Sequence, residues 1–227
     1  MQTFSAAIFD MDGLLIDSER TIMNAWLTVG RDLGVDILPA EYLRIVGKAA
    51  QECHAILTDL LGGEAIFREA LTRVRQDLAA PSERPLFPLK SGVRSLLSML
   101  TRAGIPCAVA SSSAKHEIQS RLAQVGVLHF FNAIAGGDEV PRGKPDPAVY
   151  DLAAKRLNKS PAECLAFEDS ENGVRAANAA GIAVVTVPDL KAPTDEVVER
   201  SFTVLRKLDE AIGQATDWFG IHVLSTS

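Results

Sequence analysis

The sequence is poor in several features that mark particular classes of protein. Aromatic residues make up only 6% of its 227 residues, and its four histidines are scattered along the chain. Basic residues (23) are fewer than acidic residues (29), which gives a formal net charge of −6 at pH 7. No basic stripe interleaved with aromatic residues is present, although a nucleic-acid-binding surface typically carries one. We therefore expect no nucleic-acid partner.

Cysteine and long apolar runs are also scarce. Cys53, Cys107 and Cys164 form no Cys-x-x-Cys pair, and each lies among apolar residues, as is typical of buried free thiols in a reducing compartment. The N-terminus reaches Asp10 and Asp12 without the basic and apolar stretches of a signal peptide. No apolar run approaches the ~18 residues that span a bilayer. We expect a cytoplasmic protein without a membrane partner and, by default, a monomer.

Residues 18–84 show the apolar periodicity of helices and contain no strand pattern. Ile22, Trp26 and Val29 fall on one helical face, and Ser18 is the predicted N-terminal cap of that helix. Further amphipathic stretches follow, separated by glycine and proline. We therefore predict a small helical bundle over residues 18–84.

The remaining chain alternates short apolar strands with helices. The predicted strands are residues 6–9, 105–110, 133–135, 164–167 and 182–187. Such alternation is typical of a parallel sheet covered by helices on both faces. The first strand belongs to this sheet, so the helical segment is an insertion. We predict an α/β fold with a discontinuous core, residues 1–17 and 85–227, and the inserted bundle between its two parts.

Polar side chains follow the predicted strands at their carboxyl ends, where open parallel sheets bind ligands. They are Asp10 and Asp12, Ser111 to Ser113, Glu168 and Asp169, with Lys144 in a nearby loop. Residues two apart in a strand project to the same side, so Asp10 and Asp12 crowd one spot. Two such carboxylates stay ionised beside a cation, and an all-oxygen site suits Mg²⁺. Each feature alone also fits a solvated turn or surface charge; their joint position favours a metal site beside an anion site.

Four runs in order carry a resemblance to a known family: DMDGLLIDSE at Asp10, VASSS at Ser111, GKPDP at Lys144 and FEDSENG at Glu168. They resemble the four motifs of the haloacid dehalogenase-like superfamily, and most closely its phosphatase and β-phosphoglucomutase-like branch. The resemblance covers residues 4–187. It implies a Rossmann-like three-layer core with a parallel sheet, and a mobile helical cap inserted after the first motif.

The resemblance also implies a chemical role for each matching acidic residue. Asp10 is implied to be the nucleophile that forms an aspartyl-phosphate, and Asp12 the general acid and base. Asp10, the backbone carbonyl of Asp12 and Asp169 are the implied ligands of Mg²⁺. Glu168 is implied to contact the metal ligands without binding the ion itself, or to bind the ion through a water molecule.

The implied substrate is a small phosphorylated metabolite, such as a sugar phosphate. Ser111 and Lys144 are expected to bind the transferring phosphoryl oxygens, aided by backbone N–H groups near Gly13 and Ser112. The resemblance therefore predicts a Mg²⁺-dependent phosphatase that hydrolyses a small phosphomonoester.

Three other functions fit these residues less well. A dehalogenase of the superfamily would lack the second aspartate, Asp12. The β-phosphoglucomutases carry a histidine where this chain has Ile22, and an arginine in the cap segment after the glycine equivalent to Gly47. Here that segment reads Lys48-Ala49-Ala50-Gln51, so a phosphomutase remains the alternative to the preferred phosphatase. A receiver-like phosphoacceptor module is disfavoured, because such modules are shorter and lack an inserted bundle.

Overall fold

The computed structural model describes residues 3–46, 50–80 and 85–221, and the contacts among these residues form two compact units. One unit contains the described residues up to Ile16 together with those from Leu89 onward. The other unit runs from Asp17 to Pro88. The helical insertion is therefore a compact unit with its own internal contacts.

The unit from Asp17 to Pro88 is helical. Within its described residues the helices are α1 (Ser18–Asp32), α2 (Pro39–Tyr42), α3 (Ala50–Leu60) and α4 (Glu64–Ala79). Helix α1 packs against α4, where the rings of Trp26 and Phe67 stack with their centroids 5.9 Å apart. The prediction that Ser18 caps α1 is wrong. Asp17 occupies the cap position, and Ser18 begins the helix as a buried residue whose Oγ has no hydrogen-bond partner among the described residues.

The other unit is built on a parallel sheet that has six strands in the described part of the chain. They are β1 (Ala6–Phe9), β2 (Cys107–Ala110), β3 (Ala133–Ala135), β4 (Cys164–Glu168), β5 (Ala183–Thr186) and β6 (Thr203–Val204). Their order is β3-β2-β1-β4-β5-β6, and Ile8 of β1 lies between Ala108 of β2 and Ala166 of β4. This is the Rossmann order, which confirms the predicted α/β Rossmann-like fold.

Helices cover both faces of the sheet. Those described are α5 (Val93–Arg102), α6 (Lys115–Gln124), α7 (Ala148–Arg156), α8 (Glu171–Ala179), α9 (Asp195–Arg200) and α10 (Asp209–Phe219). Ile8 and Ala166 belong to one apolar cluster with residues of α7 and α8. On the other face, the ring of Phe167 lies 6.2 Å from that of Trp218 in α10. Because strand side chains alternate between faces, every position of β1 and β4 is buried, as expected of a covered parallel sheet.

Two details differ from the expectations drawn from the sequence. Strand β6 was not predicted, because its two residues pair with the edge of β5 and carry no apolar run of their own. Cys107 and Cys164 are buried thiols as predicted, whereas the Cys53 side chain is only half-buried. None of the described helices combines the length and the apolar character needed to cross a bilayer.

Charged side chains around Glu139 hold the edge strand β3. The Glu139 carboxylate accepts hydrogen bonds from both terminal nitrogens of Arg156 (2.7 and 2.9 Å), from Lys115 Nζ (3.2 Å) and from the Gly136 N–H (3.1 Å). Arg156 also donates to the carbonyl of Ile134 in β3. The hydrogen bonds from Arg156 are the largest cause that lowers the pKa of Glu139 to about 2. This carboxylate therefore links α6, α7 and the sheet edge.

Glu139→Gln is expected to reduce the free energy of unfolding at pH 7 by about 1–2 kcal/mol, because it removes a bidentate, charge-assisted pair. An unpaired glutamate titrates at about 4.3. With a folded-state pKa of about 2, the carboxylate stabilises the fold fully above the unfolded pKa, and this contribution is lost as the pH falls towards 2. Urea unfolding of wild type and variant should therefore converge as the pH falls from about 5 to 2.

The exposed Glu199 of α9 provides the matched control. Glu199→Gln should stay close to wild type over the same pH range. A stability difference for Glu139→Gln that is independent of pH would contradict the assignment of the ion pair.

Candidate active site

The strand ends of the sheet position two of the predicted site residues. Asp10 directly follows β1, and its N–H donates to the carbonyl of Phe167 in β4 (3.0 Å). Ser111 directly follows β2, and its N–H donates to the carbonyl of Ala135 in β3 (3.1 Å). Both residues continue the hydrogen bonding of the sheet by one position and are buried. Their side chains are therefore held at the carboxyl edge by the backbone itself.

The ammonium group of Lys144 lies between two carboxylates at this edge. Its Nζ is 2.5 Å from Asp10 Oδ1 and 2.5 Å from Glu168 Oε1, and the side chain is almost completely buried. Burial alone would lower the pKa of Lys144, but Asp10 and Glu168 together outweigh this effect and raise it. The Nζ also lies 5.1 Å from the centre of the Tyr150 ring, whose π face favours a cation. The two carboxylates therefore favour the charged form of this buried lysine.

Glu168 is a fully buried carboxylate surrounded by donors from the protein. Its Oε1 accepts from Lys144 and from the Tyr150 hydroxyl (2.7 Å). Its Oε2 accepts from the N–H groups of Asp169 (3.1 Å) and Ser170 (3.2 Å) and from Ser170 Oγ (3.1 Å). A carboxylate offers about four lone-pair sites, so these five donors leave Glu168 no free site for a further hydrogen bond. Burial, reinforced by Glu168, raises the pKa of Tyr150, which keeps that hydroxyl a donor.

Three acidic side chains form a group that fits a hard metal ion. Carboxylate oxygens of Asp10, Glu168 and Asp169 lie within 4.8 Å of one another. The Asp169 carboxylate is pressed against Gly13, where a Cβ atom would lie 2.1 Å from Asp169 Oδ2 and where φ is +84°. A glycine is required at this position both for its backbone conformation and for the space that it leaves. Since the bonds of Glu168 are already used, Asp10 and Asp169 are the side chains suited to hold a cation.

The electrostatics of Asp10 also favour a cation. Burial raises the pKa of Asp10 well above its usual value; Lys144 opposes this effect, whereas Glu168 and Asp12 add to it. The group contains three carboxylates and one ammonium, so negative charge is in excess when all of them are ionised. A divalent cation bound by oxygen atoms would offset this excess and keep Asp10 ionised.

The Asp12 carboxylate has a separate set of partners. Its Oδ2 accepts from Ser113 Oγ (2.9 Å), and its Oδ1 accepts from a terminal nitrogen of Arg121 in α6 (3.1 Å). The other terminal nitrogen of Arg121 donates to Glu117 Oε1 (3.4 Å). The Ser113 N–H in turn donates to Ser111 Oγ (3.1 Å). A chain of hydrogen bonds therefore connects Asp12 with the hydroxyl group that follows β2.

Sequence reasoning identified most of this group but missed some of its members. It did not select Tyr150 or Arg121, and it placed Ser113 at the sheet edge without assigning it a role. The sequence signals available for them were a tyrosine six residues after Lys144, the two-residue spacing from Ser111 to Ser113, and the i, i+4 spacing from Glu117 to Arg121. Ser112, predicted to supply a backbone N–H, has an exposed side chain. The residues from Gly47 to Ala49, which include Lys48, lie outside the described residues.

A Rossmann-like sheet whose carboxyl edge carries buried carboxylates, a hydroxyl and a lysine is typical of an α/β enzyme with adjoining anion and metal sites. The family model described as haloacid dehalogenase-like hydrolase matches residues 4–181. The chain belongs to this family.

Relatives and solved structures agree with this assignment. A phosphorylated carbohydrates phosphatase of Thermotoga maritima is 33% identical over 180 residues, which cover 78% of this chain and 82% of that protein. A HAD family hydrolase from Deinococcus radiodurans R1, solved with bound phosphate and sodium, is 25% identical with a TM-score of 0.81, covering 96% of this chain and 97% of the other. A β-phosphoglucomutase from Clostridium difficile shares the fold at 21% identity and a TM-score of 0.69, covering 97% and 100%. The predicted enzyme class, a phosphoric monoester hydrolase, is confirmed.

Gly173→Ala is expected to disrupt the site and to reduce stability by at least about 2 kcal/mol, because overpacking here would displace a buried carboxylate. A Cβ atom at Gly173 would lie 1.9 Å from Cδ of Glu168. Urea unfolding measures the change. The matched control is Gly213→Ala in α10, where, apart from the chain neighbours and the backbone of the helix itself, no heavy atom of the described chain lies within 4 Å of the added Cβ. The control should be neutral or stabilising by up to about 1 kcal/mol. Equal effects of both substitutions would contradict the close packing of Glu168 under α8.

Proposed function

We propose that the protein is a Mg²⁺-dependent phosphatase that hydrolyses a small phosphomonoester, such as a sugar phosphate, through an aspartyl-phosphate at Asp10. The observation that carries the proposal is the buried ammonium of Lys144 bound to both Asp10 and Glu168, with Asp169 in the same group. By its name the Thermotoga relative acts on phosphorylated carbohydrates, and the Deinococcus hydrolase binds phosphate, which supports the substrate class.

In the first half of the reaction, a carboxylate oxygen of Asp10 attacks phosphorus in line with the ester oxygen. A new bond forms from Asp10 to phosphorus as the bond from phosphorus to the ester oxygen breaks. Asp12 gives its proton to the departing oxygen, so the alcohol leaves neutral. Ser111 and Lys144 hold phosphoryl oxygens, since a hydroxyl and a buried cation can stabilise the negative charge that develops there.

In the second half, a water molecule attacks the phosphorus of the aspartyl-phosphate. Asp12, now a carboxylate, accepts a proton from this water. The bond between phosphorus and Asp10 breaks, which returns the Asp10 carboxylate and releases inorganic phosphate. Asp10 ends the cycle as a carboxylate and Asp12 as a carboxylic acid, the states in which they began.

The residues at this edge fit a magnesium ion. Asp10, Asp169 and the backbone carbonyl of Asp12 are the proposed ligands, because the other carboxylate of the group, Glu168, is already fully hydrogen-bonded. When bound, Mg²⁺ would supply positive charge next to the phosphoryl oxygens and the nucleophile. In this proposal Glu168 does not bind the ion; its hydrogen bond holds Lys144 in place.

We extend the proposal to the domain organisation. Residues 18–84 are proposed to act as a cap on the catalytic core, residues 1–17 and 85–227. A closing cap excludes bulk water and completes a site, which favours small soluble phosphomonoesters over large phosphoproteins. Substrate selection is accordingly assigned to the helical unit.

A phosphomutase is the second candidate, and the solved β-phosphoglucomutases that share the fold keep it in consideration. A mutase must bind a second phosphate and protect its phosphoenzyme from water. The apolar, half-buried Ile22 of α1 occupies the place at which the resemblance leads us to expect a histidine in mutases. This difference favours the phosphatase.

Asp10→Asn is expected to reduce phosphate release by at least about 10³-fold, because an amide cannot serve as the nucleophile. Phosphate release would be measured on a panel of sugar and nucleotide monophosphates, with Mg²⁺ and with EDTA. Chelation should silence the wild type, and Asp151→Asn, an exposed carboxylate on α7, serves as the matched control. Activity of Asp10→Asn near that of the control would contradict the assignment of Asp10 as the nucleophile.

The same assays distinguish the second candidate function. Conversion of a hexose 1-phosphate to its 6-phosphate with a bisphosphate primer, without phosphate release from any ester, would favour the mutase.

Asp12→Asn is expected to reduce turnover by about 10²- to 10⁴-fold while Mg²⁺ affinity changes little. The physical reason is that the side chain transfers the proton, whereas the backbone carbonyl is the proposed metal ligand. Isothermal titration with Mg²⁺ and steady-state kinetics measure the two properties separately. A loss of Mg²⁺ affinity as large as the loss of turnover would contradict this division of roles.

A further inference from the structure

Arg121 of α6 binds the carboxylate that the proposed mechanism uses for proton transfer. Its guanidinium donates to Asp12 Oδ1 at 3.1 Å, while Ser113 Oγ donates to Asp12 Oδ2 at 2.9 Å. The same guanidinium nitrogen lies 3.4 Å from Ser113 Oγ, which closes a ring of three polar groups. Both oxygens of Asp12 are therefore held, each by a different element of the core.

The guanidinium of Arg121 is also held in place by a contact other than Asp12. Its other terminal nitrogen donates to Glu117 Oε1, one helical turn earlier on α6. Glu117 is fixed in turn, because its Oε2 accepts from the Ala114 N–H (3.2 Å) at the start of the helix. Helix α6 is anchored by the fully buried side chains of Ile118 and Leu122. The orientation of Arg121 thus follows from the packing of α6.

Two features distinguish this pair from an ordinary surface salt bridge. About three quarters of each side chain is shielded, since 25% of Arg121 and 27% of Asp12 remains exposed. The pair also connects with the phosphoryl side of the site, because the Ser113 N–H donates to Ser111 Oγ. Exposed ion pairs contribute little to stability and rarely fix the orientation of a side chain. A forked guanidinium that is bonded to two carboxylates does fix an orientation.

We propose that Arg121 is a positioning residue for acid–base catalysis, and that together with Ser113 it orients the Asp12 carboxyl group towards the ester oxygen. The inference rests on the proposed role of Asp12. Each carboxylate oxygen has two lone pairs, so one hydrogen bond to each leaves capacity to carry the transferred proton. Loss of Arg121 therefore leaves the chemistry available and removes the alignment that proton transfer requires.

The test uses substrates that differ in their need for an acid. Departure of an alkoxide from a sugar or alkyl phosphate requires a proton, whereas p-nitrophenolate leaves without one. Arg121→Met should lower kcat/KM for an alkyl phosphate by roughly 10- to 100-fold, the range seen when an orienting partner is lost. It should change kcat/KM for p-nitrophenyl phosphate by less than about threefold, because kcat/KM reports the steps up to departure of the leaving group and p-nitrophenolate leaves without the acid.

Two further variants make the interpretation specific. Arg121→Lys keeps the charge but not the fork, so its kcat/KM for the alkyl phosphate should lie between those of wild type and Arg121→Met. In an Asp12→Asn background, Arg121→Met should cause no further loss on the alkyl phosphate, because both substitutions remove the same function. Arg206→Met is the matched control, since Arg206 forms an exposed i, i+4 pair with Glu210 on the same unit; it should behave as wild type.

Each outcome separates the inference from the proposed function. Equal losses on both substrates, or a further 10-fold loss in the Asp12→Asn background, would overturn the positioning role of Arg121. If Asp12→Asn itself reduces kcat/KM of the alkyl and aryl substrates alike, the acid role that the proposed function gives to Asp12 fails, whatever the result for Arg121. If Arg121→Met does not fold, the leaving-group dependence of Arg121→Lys decides in the same way: equal losses on both substrates reject the inference, and a selective loss on the alkyl phosphate supports it.

Discussion

The ion pairs of Lys144 with Asp10 and Glu168 are the interaction on which the rest of the site depends. They join the ends of β1 and β4 through one buried ammonium. Removal of that charge would leave carboxylates buried without compensation, which is far more costly than removal of a surface pair. Because Glu168 also accepts from Tyr150 of α7 and from Ser170 at the start of α8, the same charge organises the helices that flank the site.

Such a site is tolerated because the sheet around it is rigid and apolar. The strands β1 and β4 are buried along their whole length, and their backbone hydrogen bonds hold Asp10 and Glu168 in register. Glycines supply the space that the acidic side chains need: Gly13 lies against Asp169, and Gly173 lies against Glu168. The stability of the core thus supports a local excess of negative charge, which is suited to a bound cation and a phosphoryl group.

Much of the fold followed from local patterns. The runs at β1, β3 and β4 were recognisable because a buried parallel strand is a short, continuous apolar segment. Strand β6 carries no such segment and exists because β5 offers an unpaired edge, so only the assembled sheet reveals it. The cap of α1 also differed from the prediction. Serine favours the cap position in general, but here Asp17 occupies that position and Ser18 is the first residue of the helix.

The amino-acid sequence by itself determined which chemical groups are present and that Asp10, Ser111 and Glu168 meet at one edge, since parallel strands align their carboxyl ends. Only the tertiary structure decided which hydrogen-bond partner each of these groups has. It bonded Glu168 completely within the protein, and it brought Arg121 to Asp12 from a helix more than a hundred residues away in the chain. Hydrogen-bond partners at such separation depend on how helices pack on the sheet, which no local spacing encodes.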